Sequence, residues 1–160
     1  MKCSAIVVHE TGGPDVMQWE EIEIGDPKPD EALIRHTGVG MNFIDVYFRT
    51  GLYPAPTMPL CPGMEGAGIV EKIGNNVTEV RVGDRVAYAG APIGAYSQYR
   101  LIPAHRLVVV PNGLDDETAA GMMLKGMTVE YLLDRTYKVS SGDTIVFHAA
   151  AGGVGLSAVE

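Results

Sequence analysis

The sequence predicts a mostly β unit followed by the opening strand, turn and helix of an α/β unit. Two observations carry this. Up to Pro111, short β-branched and aromatic runs alternate with glycine- and proline-rich breaks, the pattern of a small sandwich or barrel. Near the end, the apolar run Thr144-Ile145-Val146-Phe147-His148-Ala149 turns into Ala150-Ala151-Gly152-Gly153-Val154-Gly155, and Leu156-Ser157-Ala158-Val159 is helix-compatible.

In chain order, Ser4–Val8 reads as a strand, Thr11-Gly12-Gly13-Pro14-Asp15 as a turn, and Met17–Ile24 as the second arm of a hairpin with Trp19 on a packed face. After Gly25–Asp30, a further strand covers Ala32–Val39. The period then changes. Phe43, Val46 and Tyr47 fall at i, i+3 and i+4, so one short helix follows, with Asn42 at its start and Gly51 closing it. Asp45 and Arg49 stand at i, i+4, the spacing of a helical ion pair. Prolines 54, 56, 59 and 62 make residues 52–63 a shaped loop, a common place for binding residues. Strands are read at Gly66–Ile73, Val86–Tyr88, Ala95–Ile102 and Leu107–Val110. After Pro111 the acidic run Leu114–Ala120 suits a helix N-terminus, Gly126 interrupts before a second helical stretch, Met127–Leu133, and Ser140–Asp143 turns into the final strand. A domain switch lies near residues 112–126.

The 160 residues carry 46% hydrophobic side chains, a globular composition, and a net charge of −8. That charge opposes binding to nucleic acid or to an anionic membrane surface. No apolar run is long enough to span a bilayer, and two cysteines cannot build a disulfide framework, so the expected setting is soluble, reduced and cytoplasmic.

The glycine turn is the first functional motif. A dinucleotide-binding turn needs a small residue for tightness, a Gly where backbone approaches pyrophosphate, and a Gly for helix–strand packing; Ala149, Gly152 and Gly155 fill those places, with Gly153 and Val154 between. The alternative is a purely structural turn. The residue that would read the ribose lies beyond Glu160.

Several segments together resemble the zinc-free quinone oxidoreductases (zeta-crystallin-like group) of the medium-chain dehydrogenase/reductase superfamily. They are Gly142-Asp143 with Ala150–Gly155, Asn42–Tyr47 with Arg49–Pro54, Pro62–Val70, Gly83–Val86 and Leu124–Thr128. Val146 and Glu160 depart from the group's usual Leu and Gln. The resemblance implies a GroES-like catalytic domain over 1–124, then an interdomain helix and the beginning of a Rossmann domain over 125–160. It implies NADPH as hydride donor, a quinone or other activated enone as acceptor, and a homodimer or homotetramer at a length about twice this chain's.

Zinc-dependent relatives place ligands where this chain has Asn42, Met64 and Lys125; amide, thioether and ammonium are poor zinc donors, so no metal is expected. The resemblance gives Asn42 and Tyr47 roles near the nicotinamide and acceptor oxygen, puts Tyr53 at the acceptor pocket, and places Lys125, Gly126 and Thr128 at the cofactor face. A Tyr hydroxyl can donate to a developing oxyanion. On spacing alone, Asn42 is a helix cap, Tyr47 a core residue sharing a face with Phe43, and Thr128 a helix residue without ligand; Tyr53 is the hardest of these to explain by packing. Cys61 reads as a buried or loop thiol, and His148 as satisfying a local hydrogen bond. Two other readings stay open: an enone or enal reductase of the same superfamily, and a non-catalytic crystallin-like or truncated GroES-like binding module. The exposed apolar surface expected at Val146 and Val154–Leu156 further marks the chain as part of a longer polypeptide.

Overall fold

In the computed structural model, which describes residues 1–159, the chain opens with a hairpin of β1 (Lys2–Val8) and β2 (Met17–Glu23), antiparallel from Lys2↔Glu23 to Val8↔Met17. Alternation puts Cys3, Ala5 and Val7 inward. Trp19 pairs with Ile6 on the opposite face and is 63% exposed, so the packed position expected for it is corrected: a hairpin with one covered face leaves its other side chains outside.

β3 (Glu31–Gly40) is the second strand of a five-stranded antiparallel sheet. It pairs with β4 (Glu65–Ile73) on one side and β6 (Tyr99–Pro103) on the other; β5 (Arg85–Ala89) and β7 (Val108–Val109) extend the β4 side, giving the order β6-β3-β4-β5-β7. The strand expected over Ala95–Ile102 forms only from Tyr99. Upstream, Tyr96 O accepts from Ile6 N (2.8 Å) and Gln98 N donates to Ser4 O (2.9 Å), so the hairpin takes the bonds that a ladder would use. The first half of β3 is buried on both faces. Ala32 and Ile34 face a core with Val70, Val86, Tyr88 and Ile102; Leu33 faces Cys3 and Ile24. Leu33, Ile34, Val70, Val86 and Ile102 are at most 2% exposed, each stabilising the fold by about 1.5–3 kcal/mol.

α1 (Phe43–Thr50) starts at Asn42 and ends at Gly51, whose φ of 80° places it in the left-handed region that glycine tolerates. The expected Asp45–Arg49 ion pair is not formed. Asp45 turns inward, accepting from Asn42 N (3.0 Å) and Tyr96 Oη (2.8 Å), while Arg49 Nη1 donates to Gly12 O (3.0 Å). Residues 52–63 form an irregular loop, tied back where Val8 and Leu60 exchange backbone bonds of 2.8 Å.

α2 (Asp116–Glu130) is one helix and runs through Gly126, where the sequence suggested a break; it widens into a π turn over Tyr131–Thr136. One glycine costs a helix only about 1 kcal/mol, which packing overrides. Asp115 caps it by accepting from Thr118 N (2.7 Å). Arg85 donates to Asp116 Oδ1 (2.5 and 2.9 Å) and Leu114 O (2.6 Å), fastening this end to β5. Ala119 and Ala120 pack on Ala67 and Ala87. Gly40 permits the approach: a Cβ there would stand 2.3 Å from both Ala120 O and Glu65 Oε2.

The strand expected over Thr144–Ala149 is not formed. Val146 is 86% exposed. A lone parallel-type strand has no neighbour for its N–H and C=O groups, so the residues adopt irregular structure. The turn and helix that follow do form, as α3 (Gly153–Ala158). Glu160 and the sequence departure noted there lie outside the described residues. No helix among the described residues is long and apolar enough to cross a membrane.

Candidate active site

The site is built where the end of β3, the start of α1, the start of β4 and the middle of α2 converge. Glu65 opens β4 and is fully buried. An isolated carboxylate there would be costly, and three donors meet it: Asn42 Nδ2 at 2.7 Å and Lys125 Nζ at 3.0 Å on Oε2, and Leu124 N at 2.8 Å on Oε1. Lys125 Nζ also donates to Asn42 Oδ1 at 3.1 Å. Asn42, Glu65 and Lys125 thus form a closed triangle with the Asn42 amide orientation fixed on both sides.

Lys125 has a second neighbour. A Cβ built on Gly153 would stand 2.8 Å from Lys125 Cδ and 2.9 Å from Cε, so the lysine stem lies directly against the glycine turn. Gly155 is equally constrained, since a Cβ there would meet the Ala150 backbone at 2.4 Å. Ala149 sits at φ 54°, a left-handed conformation that strains an alanine. Gly152 caps α3, and Leu156 N donates to Gly152 O at 2.8 Å. The N–H groups of the first helical turn, from Gly153 through Gly155, precede the first intrahelical bond and suit an anionic oxygen.

Two further predicted residues form a separate group. Tyr47 and Tyr53 rings lie 5.1 Å apart, Phe43 meets Tyr47 edge-on at 5.4 Å, and Tyr53 meets Phe48 at 5.8 Å. Tyr53 N donates to Tyr47 O at 3.1 Å. Tyr53, the hardest of these to explain by packing, thus has aromatic neighbours on two sides and remains 42% exposed. Beside Asn42 opens a cleft of about 360 Å³ lined by Met17, Met41, Phe43, Val46, Pro62 and Tyr96 among others. Thr128 Oγ1 donates to Leu124 O within its own helix (2.7 Å), and a Cβ on Gly126 would meet nothing. His148 is exposed, and the local bond expected of it is not formed among the described residues.

Burial raises the Asp45 carboxyl, with the Asn42 N–H and the Tyr96 hydroxyl opposing. Burial also pushes the Cys61 thiol up to about 11, so Cys61 carries no thiolate at neutral pH and is no nucleophile. Glu65 and Tyr96 were not singled out in the sequence. The available signal for Glu65 was a lone acid directly before the apolar run Gly66-Ala67-Gly68-Ile69-Val70, where any buried charge must be paired. No group of three or more His, Cys, Asp or Glu side chains suited to a metal occurs among the described residues.

Residues 28–112 match the alcohol dehydrogenase GroES-like domain. The chain is 52% identical over 149 residues to a quinone oxidoreductase of Pseudomonas aeruginosa, covering 93% of this chain and 46% of that protein. It is 48% identical over 157 residues to a 2-haloacrylate reductase of Burkholderia sp., covering 94% and 47%. The crystal structure of Escherichia coli quinone oxidoreductase complexed with NADPH superposes with a TM-score of 0.95 at 45% identity, over 97% of this chain and 48% of that one. The chain spans about half the length of these relatives.

Proposed function

Because the chain belongs to the alcohol dehydrogenase GroES-like domain family, we propose that it forms the first half of an NADPH-dependent quinone oxidoreductase. The observation that carries this reading is Lys125, which joins Asn42 at 3.1 Å and lies against Gly153, so that one side chain links the polar end of α1 to the glycine turn.

NADPH, when bound, supplies the hydride. The chain's own residues do the rest. Gly152, Gly153 and Gly155 present backbone N–H groups with no Cβ to obstruct a pyrophosphate, Val154 adds its own N–H between them, and Ala149 sets the tight turn. Lys125, Gly126 and Thr128 flank the cofactor from α2. Asn42, held by Glu65, orients a polar partner at the nicotinamide end, and Tyr47 and Tyr53 offer phenol hydroxyls to an acceptor oxygen. A metal-independent reaction fits the donor set: an ammonium paired to Glu65, an amide and the Met64 thioether repel or poorly ligate a divalent cation. The domain division at 1–124 and 125–160, a cytoplasmic setting and assembly into a homodimer or homotetramer belong to the same proposal; free Cys3 and Cys61 are consistent with a reducing compartment.

The test is NADPH oxidation by 1,4-benzoquinone, with and without a chelator, using the full-length protein that carries this chain. Chelator-resistant turnover is expected; no turnover with any quinone or enone would sink the reading. The 48% identity to a 2-haloacrylate reductase supports a second reading, reduction of an activated alkene, which faster turnover on enones than on quinones would favour.

A further inference from the structure

We propose that Lys125 contacts the acceptor's oxygen, and that Glu65 is the positioning residue that holds its ammonium there. This rests on the reductase reading above. A protonated lysine has three N–H donors. Two are assigned, to Asn42 Oδ1 at 3.1 Å and Glu65 Oε2 at 3.0 Å, and one remains. The Lys125 side chain is 22% exposed while that of Glu65 is fully buried, so the lysine is the partner of the ion pair that solvent reaches. The stem runs close along Gly153, where even a Cβ would stand 2.8 Å from Cδ and 2.9 Å from Cε. The carboxylate cannot swing either: Leu124 N holds Oε1 at 2.8 Å, Asn42 Nδ2 holds Oε2 at 2.7 Å, and Gly40 closes over it.

The result is a cation placed before any ligand arrives, bonded to Asn42 and Glu65 and with its third donor without a partner among the described residues. A flexible surface lysine would have to be ordered during the reaction; this one is ordered already. The chemical class it suits is an aryl or enol oxygen that gains negative charge, as a quinone carbonyl does when hydride adds to the conjugated system. Lys125 keeps its protons in this scheme and donates a hydrogen bond; no bond to nitrogen forms or breaks.

The test needs a readout that does not depend on turnover. In the full-length protein, binding of 4-nitrophenolate, followed by its visible absorbance, stands in for the reduced acceptor's oxyanion, and neutral nitrobenzene serves as the shape control. Lys125→Met should weaken 4-nitrophenolate about tenfold or more and leave nitrobenzene within about threefold, the scale expected for loss of one charged donor. Lys125→Arg, which keeps the charge, should stay within about threefold for both. No anion binding by the wild type, equal binding by Lys125→Met, or a loss in Lys125→Arg equal to that in Lys125→Met overturns the proposal. These results stand whether or not the wild type reduces quinones, so failure of the reductase reading shows separately. Where turnover is present, Lys125→Ala should lose about 100-fold in kcat and regain rate saturably with added ethylammonium; Glu65→Gln should lose about tenfold in kcat with KM for NADPH little changed. Absence of ethylammonium rescue, or a Glu65→Gln effect confined to KM, counts against the assigned roles.

Discussion

His36 Nε2 accepts from the Tyr88 hydroxyl at 2.7 Å, half-buried in the β unit, while its Nδ1 donates to Ser97 O at 2.6 Å. This arrangement fixes the neutral tautomer. Burial is the main cause that lowers the His36 pKa to about 4, with the Arg100 charge adding to it and the Ser97 carbonyl opposing. The folded pKa is depressed below the unfolded value, so the native state binds fewer protons. The stabilisation is full above about pH 6.5 and is lost as pH falls toward 4, a change of about 3 kcal/mol. Urea unfolding at stepped pH should show this loss, and His36→Gln should flatten it. A His36 ring that titrates by NMR near its ordinary value would contradict the account.

Tyr96 and Asp45 make the second prediction. Among the described residues the Tyr96 hydroxyl is one of two donors holding the Asp45 carboxylate, and Asp45 Oδ1 has no partner. Tyr96→Phe should cost about 1.5–3 kcal/mol at neutral pH and raise the Asp45 pKa further, measured by unfolding and by carboxyl NMR titration. An unchanged Asp45 titration would show that the bond does not matter in solution.

Gly40→Ala should cost about 1–3 kcal/mol, because the added methyl would stand 2.3 Å from both Ala120 O and Glu65 Oε2. Glu65 belongs to the candidate site and Ala120 to the helix that carries Lys125, so quinone turnover should fall more than stability alone explains. Full activity in a stable Gly40→Ala protein would mean that α2 is free to shift.

Ala149→Gly should have the opposite sign. Relief of the φ of 54° is worth about 0.5–1 kcal/mol after glycine's entropy is counted. Hydrogen exchange of the Leu156 amide, bonded to Gly152 O at 2.8 Å, should slow by about threefold. Faster exchange would show that this turn is held by other contacts.

What the sequence could convey divides along chain distance. The hairpin, α1 with its Asn42 start and Gly51 stop, and the proline loop rest on neighbours a few residues apart, and all are present. The glycine turn also forms, because a turn is satisfied locally. Glu65 went unread because its partners Leu124 and Lys125 are 59 and 60 residues away. Asn42 was readable as a cap, but only the fold brings it to the ammonium. Thr144–Ala149 has strand composition without strand neighbours, and composition cannot supply a ladder. Asp45 and Arg49 had the spacing of an ion pair, yet Tyr96 and the Gly12 carbonyl offered better partners from elsewhere in the chain.

The uninterrupted run of α2 has a mechanical consequence. Arg85 clamps it at Asp116, and Lys125 rides nine residues further on, about 14 Å along the axis. At that lever arm, a tilt of about 4° at the clamp sweeps the ammonium through about 1 Å, a large part of a hydrogen bond's working range. A substitution at Arg85 or Asp116, on the outer side of the β unit, would then detune the lysine without touching it.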